Sequence, residues 1–354
     1  MKPFHLFTIL ALWVQTSRSL AEIHHAQGEM SGEVTATSVR LQSRLTAIPG
    51  PELDAKGDIP GTAGMAYFEW STSPDFSDAS RTKWLWAKPE HDFIVQSSAK
   101  GLNPGTKYYY RLVYGESRDA TEAGPIRCFK TLAQSGNVTF CMGSCMNYHA
   151  FMSGKPNGGG PVTATDEDKR LGFRVFESMA KLEPDFFIGT GDIVYYDIPY
   201  SDPAETLPDL RKKWHEQFRF PRLVEFFGRT PAYWSKDDHD FRYNDADLTK
   251  SKLPSVQTGI DLFREQLPIL SRGAPASPTY RTHRVHNHLQ LWFVEGRDHR
   301  SPNKMPDGPD KSIWGREQRD WLQSTLKASD ATWKVIPNVS KIRPSSAGLH
   351  RVTE

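Results

Sequence analysis

The sequence has almost no net charge and lacks long apolar runs of the length that spans a membrane. Lys and Arg total 44 and Asp and Glu total 42, which gives a net charge of +2. Because binding to nucleic acid in bulk depends on a strong basic excess, this balance does not indicate a nucleic-acid-binding protein. Beyond the first residues no apolar run is long enough to span a bilayer, so the mature chain is expected to lack membrane spans.

The N-terminus carries the one long apolar run. Lys2 is followed by apolar residues from Phe4 to Val14 and then by small residues up to Ala21. This order is typical of a secretory signal peptide cleaved near Ala21, and the run is too short to span a bilayer comfortably. The alternative is a buried N-terminal helix. We predict a signal peptide over residues 1–21 and a secreted or periplasmic protein.

Cysteine is scarce and its number is odd. The chain contains Cys128, Cys141 and Cys145. In an oxidising compartment an odd number leaves at least one thiol without a disulfide partner. Cys128 and Cys141 could form a disulfide, and a spare thiolate could ligate a metal. The sequence leaves both uses open.

Residues 22–131 have the pattern of an all-β domain. Short alternating runs such as "GEVTATSVRLQSRLT" and "GMAYFEWSTS" are separated by Gly, Pro and Asp. In "KGLNPGTKYYYRLVY", a Pro-Gly turn follows Leu102, and Tyr108, Tyr110 and Leu112 alternate onto one face. The segment resembles the corner of fibronectin type III sandwiches, in which a tyrosine hydroxyl pins a strand. The three consecutive tyrosines could instead form a sugar-binding surface.

After a linker at residues 130–137, apolar strands alternate with helical patterns, which predicts an α/β domain. Strands are predicted at 138–144, 185–192, 230–235 and 332–338, with a hairpin-like pair at 282–297. Helices are predicted at 171–185, 209–228 with an interruption near Pro221, and 313–329. The apolar stripe of the first helix consists of Leu171, Val175, Met179 and Leu182, widened by Phe176.

Polar clusters follow three of these strands directly. They read "GSCMNY", "GDIVYYD" and "KDDHDFRYND". In α/β sheets ligands collect beyond the carboxyl ends of strands, so the three clusters together indicate one site. Taken singly, an Asp after a strand can be a turn or a helix cap, Cys145 a small buried residue, and the acidic run 237–240 a solvated loop.

The side chains in these clusters offer a mixed set of metal ligands. Phenolate and thiolate together favour a ferric-type ion, whereas carboxylate and amide oxygens favour a hard divalent ion such as Ca²⁺ or Mg²⁺. Two metals bridged by one carboxylate would supply a clamp and an activated hydroxide. Such an arrangement suits the hydrolysis of phosphate esters, where negative charge on the phosphoryl oxygens must be neutralised.

Five motifs, taken in order along the chain, resemble the PhoD-like alkaline phosphatases (alkaline phosphatase D), a branch of the metallophosphoesterases. They are "GSC" (143–145), "TGDIVYYD" (190–197), "WSKDDHDFRYND" (234–245), "EGRDHRSPN" (295–303) and "WGREQRDWLQSTLKASDATWKV" (314–335). The resemblance includes the N-terminal β domain. It implies an all-β fibronectin type III-like sandwich followed by an α/β metallophosphoesterase domain of the calcineurin-like, four-layer type.

The resemblance also implies ligands for Fe³⁺ and Ca²⁺. Cys145 of the Ser-Cys motif would bind the iron, and Asp192 would bridge the two metals. Tyr195 would add a phenolate to the iron. Asn244 would ligate the second, Ca²⁺-like metal.

Further roles follow from the same resemblance. Asp238 and His239 would support the ligands or contact the leaving group, and Asp240 would support the ligands from outside. Arg297 would touch the phosphate, for which a bidentate guanidinium is suited. Its alternative is a surface ion pair. The implied catalytic residues are therefore Asp192, His239 and Arg297.

This chain departs from the family pattern at a few positions. Arg242 stands where one branch has Gly, Phe241 where it has Tyr, and Glu295 where an Asp is usual. These differences bear on the substrate. Family members continue past the strand at 333–337 into further Asp and His motifs, whereas the tail 338–354 is polar, without helix or strand period.

We therefore expect a signal peptide (1–21), a β-sandwich (22–131), an incomplete metallophosphoesterase domain (132–337) and an irregular tail (338–354). The expected function is metal-dependent hydrolysis of phosphomonoesters or phosphodiesters by a secreted enzyme. One alternative is a catalytically impaired remnant that lacks late metal ligands. The other is a module that binds a polysaccharide or cell surface through the β domain.

Overall fold

The computed structural model describes residues 22–155, 163–249, 252–269 and 279–337. The predicted signal peptide and the predicted tail lie outside these residues. Within the described part of the chain, no helix is both long enough and apolar enough to cross a bilayer. All three cysteines are described, and all three are free thiols.

The N-terminal part, as predicted, consists of short strands. They are β1 (Glu29–Gly32), β2 (Ser38–Arg44), β3 (Gly64–Ser71), β4 (Ser80–Arg81), β5 (Leu85–Ala87), β6 (Ile94–Lys100), β7 (Lys107–Ser117), β8 (Ala120–Ala123) and β9 (Arg127–Lys130).

The rest of the chain mixes strands and helices. The strands are β10 (Phe140–Gly143), β11 (Phe186–Thr190), β12 (Ala232–Ser235), β13 (Arg281–His286), β14 (Leu289–Phe293) and β15 (Trp333–Val335). The helices are α1 (Tyr148–Ser153), α2 (Asp166–Leu171), α3 (Val175–Ala180), α4 (Leu207–Phe218), α5 (Pro221–Arg229), α6 (Val256–Gln266) and α7 (Gly315–Ala328).

One sheet runs across the predicted domain boundary. Its strand order is β10-β11-β12-β1-β2-β6, with β10, β11, β12 and β1 parallel and β2 and β6 antiparallel to their neighbours. The junction is short, with Gly32 opposite Ala232. The N-terminal strands β1, β2 and β6 therefore extend the sheet that carries the strands of the second half.

A second sheet packs on this extension to form a sandwich. It has the order β4-β3-β7-β8, with β5 paired to β3 and β9 to β7. The shared core contains Leu41 of β2 and Phe68 and Tyr110 of β3 and β7. The remaining strands form a separate sheet in the order β13-β14-β15.

The tyrosine corner expected from the sequence is present. The Tyr108 hydroxyl accepts a hydrogen bond from the backbone N–H of Asn103 at 2.9 Å. Leu102, Tyr108 and Tyr110 are all buried, as the alternation predicts. Because two of the three tyrosines lie in the core, a sugar-binding surface made of all three is excluded.

The predicted helix over 171–185 is wrong in its extent and in its apolar stripe. The structure has two short helices, α2 and α3, separated at Gly172, whose φ is +94°. A Cβ at Gly172 would lie 2.6 Å from the Cβ of Phe220, so the chain bends where it meets that ring. Val175 and Leu182 are exposed, and Phe176 is the residue that enters the core. The spacing of apolar residues did not predict this bend, because it carries no information on the contact with Phe220, which is distant in the sequence.

Other predicted elements are confirmed. The helical region 209–228 is split into α4 and α5, and α5 begins at Pro221, where a proline is tolerated because the first turn needs no backbone donor. The hairpin is β13 and β14, and the amphipathic helix is α7. An aromatic core, which includes Phe187, Phe226 and Trp234, packs between the parallel strands and helices α4 and α5.

Candidate metal centre

The three predicted clusters lie at one edge of the sheet. Strands β10, β11 and β12 are adjacent and parallel, with Gly143 opposite Gly189 and Thr190 opposite Ser235. The loops that follow them therefore leave the sheet side by side at its carboxyl edge. One loop carries Cys145, the next Asp192, and the third the acidic run 237–240.

Unusual backbone conformations bring these loops into contact. Cys145 and Asp192 have φ of 59° and 55°, which is uncommon for residues with a side chain. The loops are joined where the N–H of Met146 donates to the carbonyl of Asp192 at 2.9 Å. Gly191 has φ of 89°, and a Cβ there would lie 2.5 Å from the Cβ of Asp237. The glycine before Asp192 thus permits the close approach of the acidic loop.

Three side chains converge at this edge. Asp192, Asp238 and His239 offer ligand atoms that all lie within 4.8 Å of one another. Asp192 is only 9% exposed, and its Oδ1 is buried without a hydrogen-bond partner. The other oxygen, Oδ2, lies 3.6 Å from the sulfur of Cys145 and 3.3 Å from the hydroxyl of Tyr195. Asp192 is therefore the centre of the group.

The electrostatics of the group favour a cation. Burial raises the pKa of the Asp192 carboxyl, and the charge of Asp238 raises it further. Burial also raises the pKa of the Cys145 thiol and of the Tyr195 hydroxyl. Asp237 has its pKa raised to about 7 by burial and by the neighbouring carboxylates, although Arg297 opposes this. A bound cation would remove this repulsion and hold the groups in their charged forms.

His239 is fixed by a carboxylate outside the group. Its Nδ1 lies 2.6 Å from Oδ1 of Asp197, and its ring stacks on that of Tyr195 with centroids 4.2 Å apart. Burial lowers the pKa of His239, but the hydrogen bond and charge of Asp197 outweigh that and leave the pKa raised. This contact holds the imidazole in one orientation, as a carboxylate does behind many metal-bound or catalytic histidines.

Asp240 and Arg297 hold the acidic loop. Asp240 accepts from the N–H of Ile193 at 3.0 Å and of Asp237 at 2.7 Å, and its support of metal ligands stays a prediction. Arg297 is buried and lies 2.7 Å from Asp237 and 3.3 Å from Asp238. Its guanidinium is thus engaged with the loop carboxylates, and a contact of Arg297 with phosphate stays a prediction.

Asn244 lies at the rim of the group. It is exposed, its N–H donates to Asp197 at 2.8 Å, and its side-chain amide donates to Asp245 at 3.2 Å. The backbone N–H of Asp245 in turn donates to Asp238. Asn244 is therefore linked to the group through its neighbours, and its role as a ligand stays a prediction.

The donor set fits a metal. An orphaned buried carboxylate oxygen, two further ligand-type side chains and a nearby thiol and phenol form the mixture of hard and soft donors that iron with a hard divalent ion would use. Asp238 is closer than the sequence implied, because it lies within the group and does not merely support it. Sequence reasoning missed Asp197 and Asp237. For Asp197 the available indication was its position at the end of "TGDIVYYD".

Comparison with known proteins places this geometry in a family. Residues 140–350 match the PhoD-like phosphatase family, and residues 12–131 match the N-terminal domain of PhoD-like phosphatases. Alkaline phosphatase D of Bacillus subtilis (strain 168) is 25% identical over 348 residues, which covers 87% of this chain and 54% of that protein. The chain thus spans about half the length of this relative.

Solved structures agree. The structure of PhoD superposes with a TM-score of 0.68 at 25% identity, covering 88% of this chain and 61% of that chain. Purple acid phosphatase PPD1 from yellow lupin (Lupinus luteus) seeds has a TM-score of 0.52 at 12% identity, covering 87% and 50% of the two chains, and shows likeness of fold alone. The fold is metallophosphoesterase-like with an N-terminal β-rich domain, and the chain belongs to the PhoD-like phosphatase family.

Proposed function

We propose that this protein hydrolyses phosphate esters at a two-metal site. The observation that carries the proposal is the convergence of Asp192, Asp238 and His239, together with the buried Asp192 oxygen that has no hydrogen-bond partner. The loops that supply them follow adjacent parallel strands, so the arrangement is built into the sheet. The family match supports the reaction class.

The residues would hold the metals as follows. Cys145, Asp192 and Tyr195 would bind Fe³⁺, and Asp192 and Asn244 would bind Ca²⁺. When bound, the pair of metals supplies positive charge for the phosphoryl oxygens and lowers the pKa of water, so that a nucleophile is available near neutral pH. The contacts of Cys145 and Tyr195 with Asp192 support this division.

The protein side chains would orient the ester and manage its protons. Asp197 keeps a proton on Nδ1 of His239 and aims the opposite ring nitrogen, which would contact the leaving alcohol. Arg297 neutralises Asp237 and Asp238, which would otherwise repel an anionic substrate. Asp240 fixes the loop through two backbone N–H groups.

The test is hydrolysis of p-nitrophenyl phosphate and of bis-p-nitrophenyl phosphate with Ca²⁺ present. Asp192→Asn should abolish turnover, because it removes the charge at the centre of the group. Asp307→Asn is the matched control, since that side chain is 83% exposed and pairs with Lys311, far from the candidate ligands in sequence. Equal turnover by wild type and Asp192→Asn would exclude the assigned bridge.

Metal content separates the enzyme from the alternative of an impaired remnant. We expect iron and calcium in the isolated protein, and a protein that retains neither would favour the remnant. Export and a fibronectin type III-like N-terminal sandwich belong to the same proposal. The apolar run at 4–14 supports the first, and the Tyr108 corner supports the second. Contact of the β domain with a polysaccharide stays a prediction.

A further inference from the structure

A cleft of about 750 Å³ opens beside the candidate metal centre. Asp197 and Asn244 line it, and the two are hydrogen bonded to each other. Asp197 also holds His239, which the proposed function places at the leaving alcohol. A group attached to the phosphate through that alcohol oxygen can therefore extend directly into the cleft.

The cleft has an apolar rim. Tyr200 and Leu253 both line it, and they are 64% and 58% exposed. Single exposed hydrophobic side chains are common on protein surfaces, but two that line one cleft form an apolar rim that a ligand can cover. Tyr200 and Leu253 line the same cleft at the edge of the candidate site, which indicates that the cleft receives an apolar group.

One wall of the cleft is held from behind by Arg242. This residue is 1% exposed, and its guanidinium donates to the backbone carbonyls of Asp247 at 2.9 Å, Thr249 at 2.8 Å and Pro254 at 2.6 Å. A further N–H group donates to the carbonyl of Lys252. The residues on either side of Leu253 are thus anchored, and the apolar rim is formed before any substrate binds.

The cleft lining carries charges of both signs, so it offers no net charge that would recruit an anion. The donors of Arg242 are directed at backbone carbonyls, and the ammonium of Lys252 lies 5.0 Å from the centre of the Tyr243 ring. Asp197 and Glu205 place two carboxylates in the lining. An anionic group on the alcohol would therefore gain no net attraction from the lining, whereas an aromatic group would meet Tyr200, Tyr243 and Leu253.

We propose that this cleft is a subsite for the alcohol part of the substrate and that it selects esters of aromatic alcohols. The proposal rests on the proposed function, since it places the alcohol beside His239. Tyr200 and Leu253 would cover the ring of the alcohol. Arg242 is a positioning residue that acts through the wall it holds.

The experiment compares two esters that differ in the alcohol. For p-nitrophenyl phosphate and glycerol phosphate, kcat/KM is measured in wild type, Tyr200→Ala, Leu253→Ala and Leu182→Ala. Leu182 is the matched control because it is 63% exposed and does not line the cleft. The ratio of aryl to glyceryl kcat/KM should fall about tenfold in Tyr200→Ala and in Leu253→Ala and stay at the wild-type value in Leu182→Ala.

An unchanged ratio in Tyr200→Ala and Leu253→Ala, or an equal fall in Leu182→Ala, would overturn the subsite. If wild type hydrolyses neither ester, the proposed function has failed. The subsite is then tested by ligand binding. The probes are then phenylphosphonate and methylphosphonate, measured by calorimetry on the full chain. A preference for phenylphosphonate that Tyr200→Ala removes supports the subsite, and equal binding of the two probes overturns it.

Discussion

Cys145 shows how a single residue can be positioned for a metal. Its φ of 59° turns the side chain toward Asp192, and its sulfur lies 3.6 Å from the Asp192 carboxylate. A left-handed conformation costs energy for a residue with a Cβ, and such strain is concentrated at functional sites. The conformation would hold the sulfur beside the bridging carboxylate.

Cys145→Ser should lower the iron bound per protein by about tenfold or more, because a hydroxyl is a much poorer ligand for the ion than a thiolate. The measurement is elemental analysis of the purified variant. Cys141→Ser is the control, since Cys141 lies within β10 and packs against the aromatic core. Unchanged iron in Cys145→Ser would remove this residue from the ligand set.

Glu216 gives a prediction on pH dependence away from the metal group. Burial raises its pKa from 4.5 to about 6, although Lys213 at 3.8 Å opposes this. The folded protein therefore keeps a proton that the unfolded chain releases, and this stability is present below pH 4.5 and lost as the pH rises through 6. The loss is about 2 kcal/mol.

Urea unfolding of wild type and Glu216→Gln between about pH 3.5 and about pH 7, roughly one unit beyond each limit, checks this. The variant cannot titrate at this position, so the free energy of unfolding should fall less with rising pH than in wild type. Parallel curves for the two proteins would show that Glu216 does not hold its proton in the folded state.

At the scale of elements, the site depends on the turn between β11 and the Asp192 loop. Gly191→Ala would force a Cβ to within 2.5 Å of Asp237 at a φ of 89°. The acidic loop must then move, and a displacement of about 1 Å costs roughly a hundredfold in rate. Turnover and bound metal should both fall.

Gly308→Ala is the control for this turn, because a Cβ at Gly308 would meet nothing within 4 Å. Assays of p-nitrophenyl phosphate hydrolysis and metal content on the two variants make the comparison. Wild-type values in Gly191→Ala would mean that the loop tolerates the displacement and that the glycine has no part in building the site.

The elements also show what the sequence could and could not predict. The strand ends after β10, β11 and β12 were found from apolar runs followed by polar residues, because parallel strands place their carboxyl ends together. The sequence placed Asp238 near the ligands but did not predict its direct approach to Asp192, since that approach depends on the loop bending at Gly191. Asp197 was not assigned because its partner, His239, is 42 residues away.

At the scale of the whole molecule, the two halves are joined by more than a linker. Besides the pairing of β1 with β12, Glu33 contacts Arg281 at 2.5 Å and His283 at 2.8 Å. His215 of α4 lies 2.7 Å from both Asp58 and Asp92 in the N-terminal half. The linker composition near residue 131 marks the change from the all-β to the α/β pattern. It does not reveal contacts between residues this far apart in the sequence.

We therefore expect one unfolding transition for the full chain. Opening either half would expose the edge of the shared sheet and leave buried charges such as Glu33 without partners, which is costly. Scanning calorimetry should show a single peak whose calorimetric and van't Hoff enthalpies agree. Two resolved peaks would show that residues 22–131 and the remainder unfold separately.

The parallel pairing of Gly32 with Ala232 has a consequence for synthesis on the ribosome. Strand β1 leaves the ribosome early, yet β12, its parallel neighbour, is translated two hundred residues later. Until then the edge of β1 that will pair with β12, here called its flank, exposes unpaired amide and carbonyl groups with which other polypeptides can pair. The open flank of β1 therefore persists through most of translation, which makes this stage of synthesis the one most exposed to mispairing with other chains.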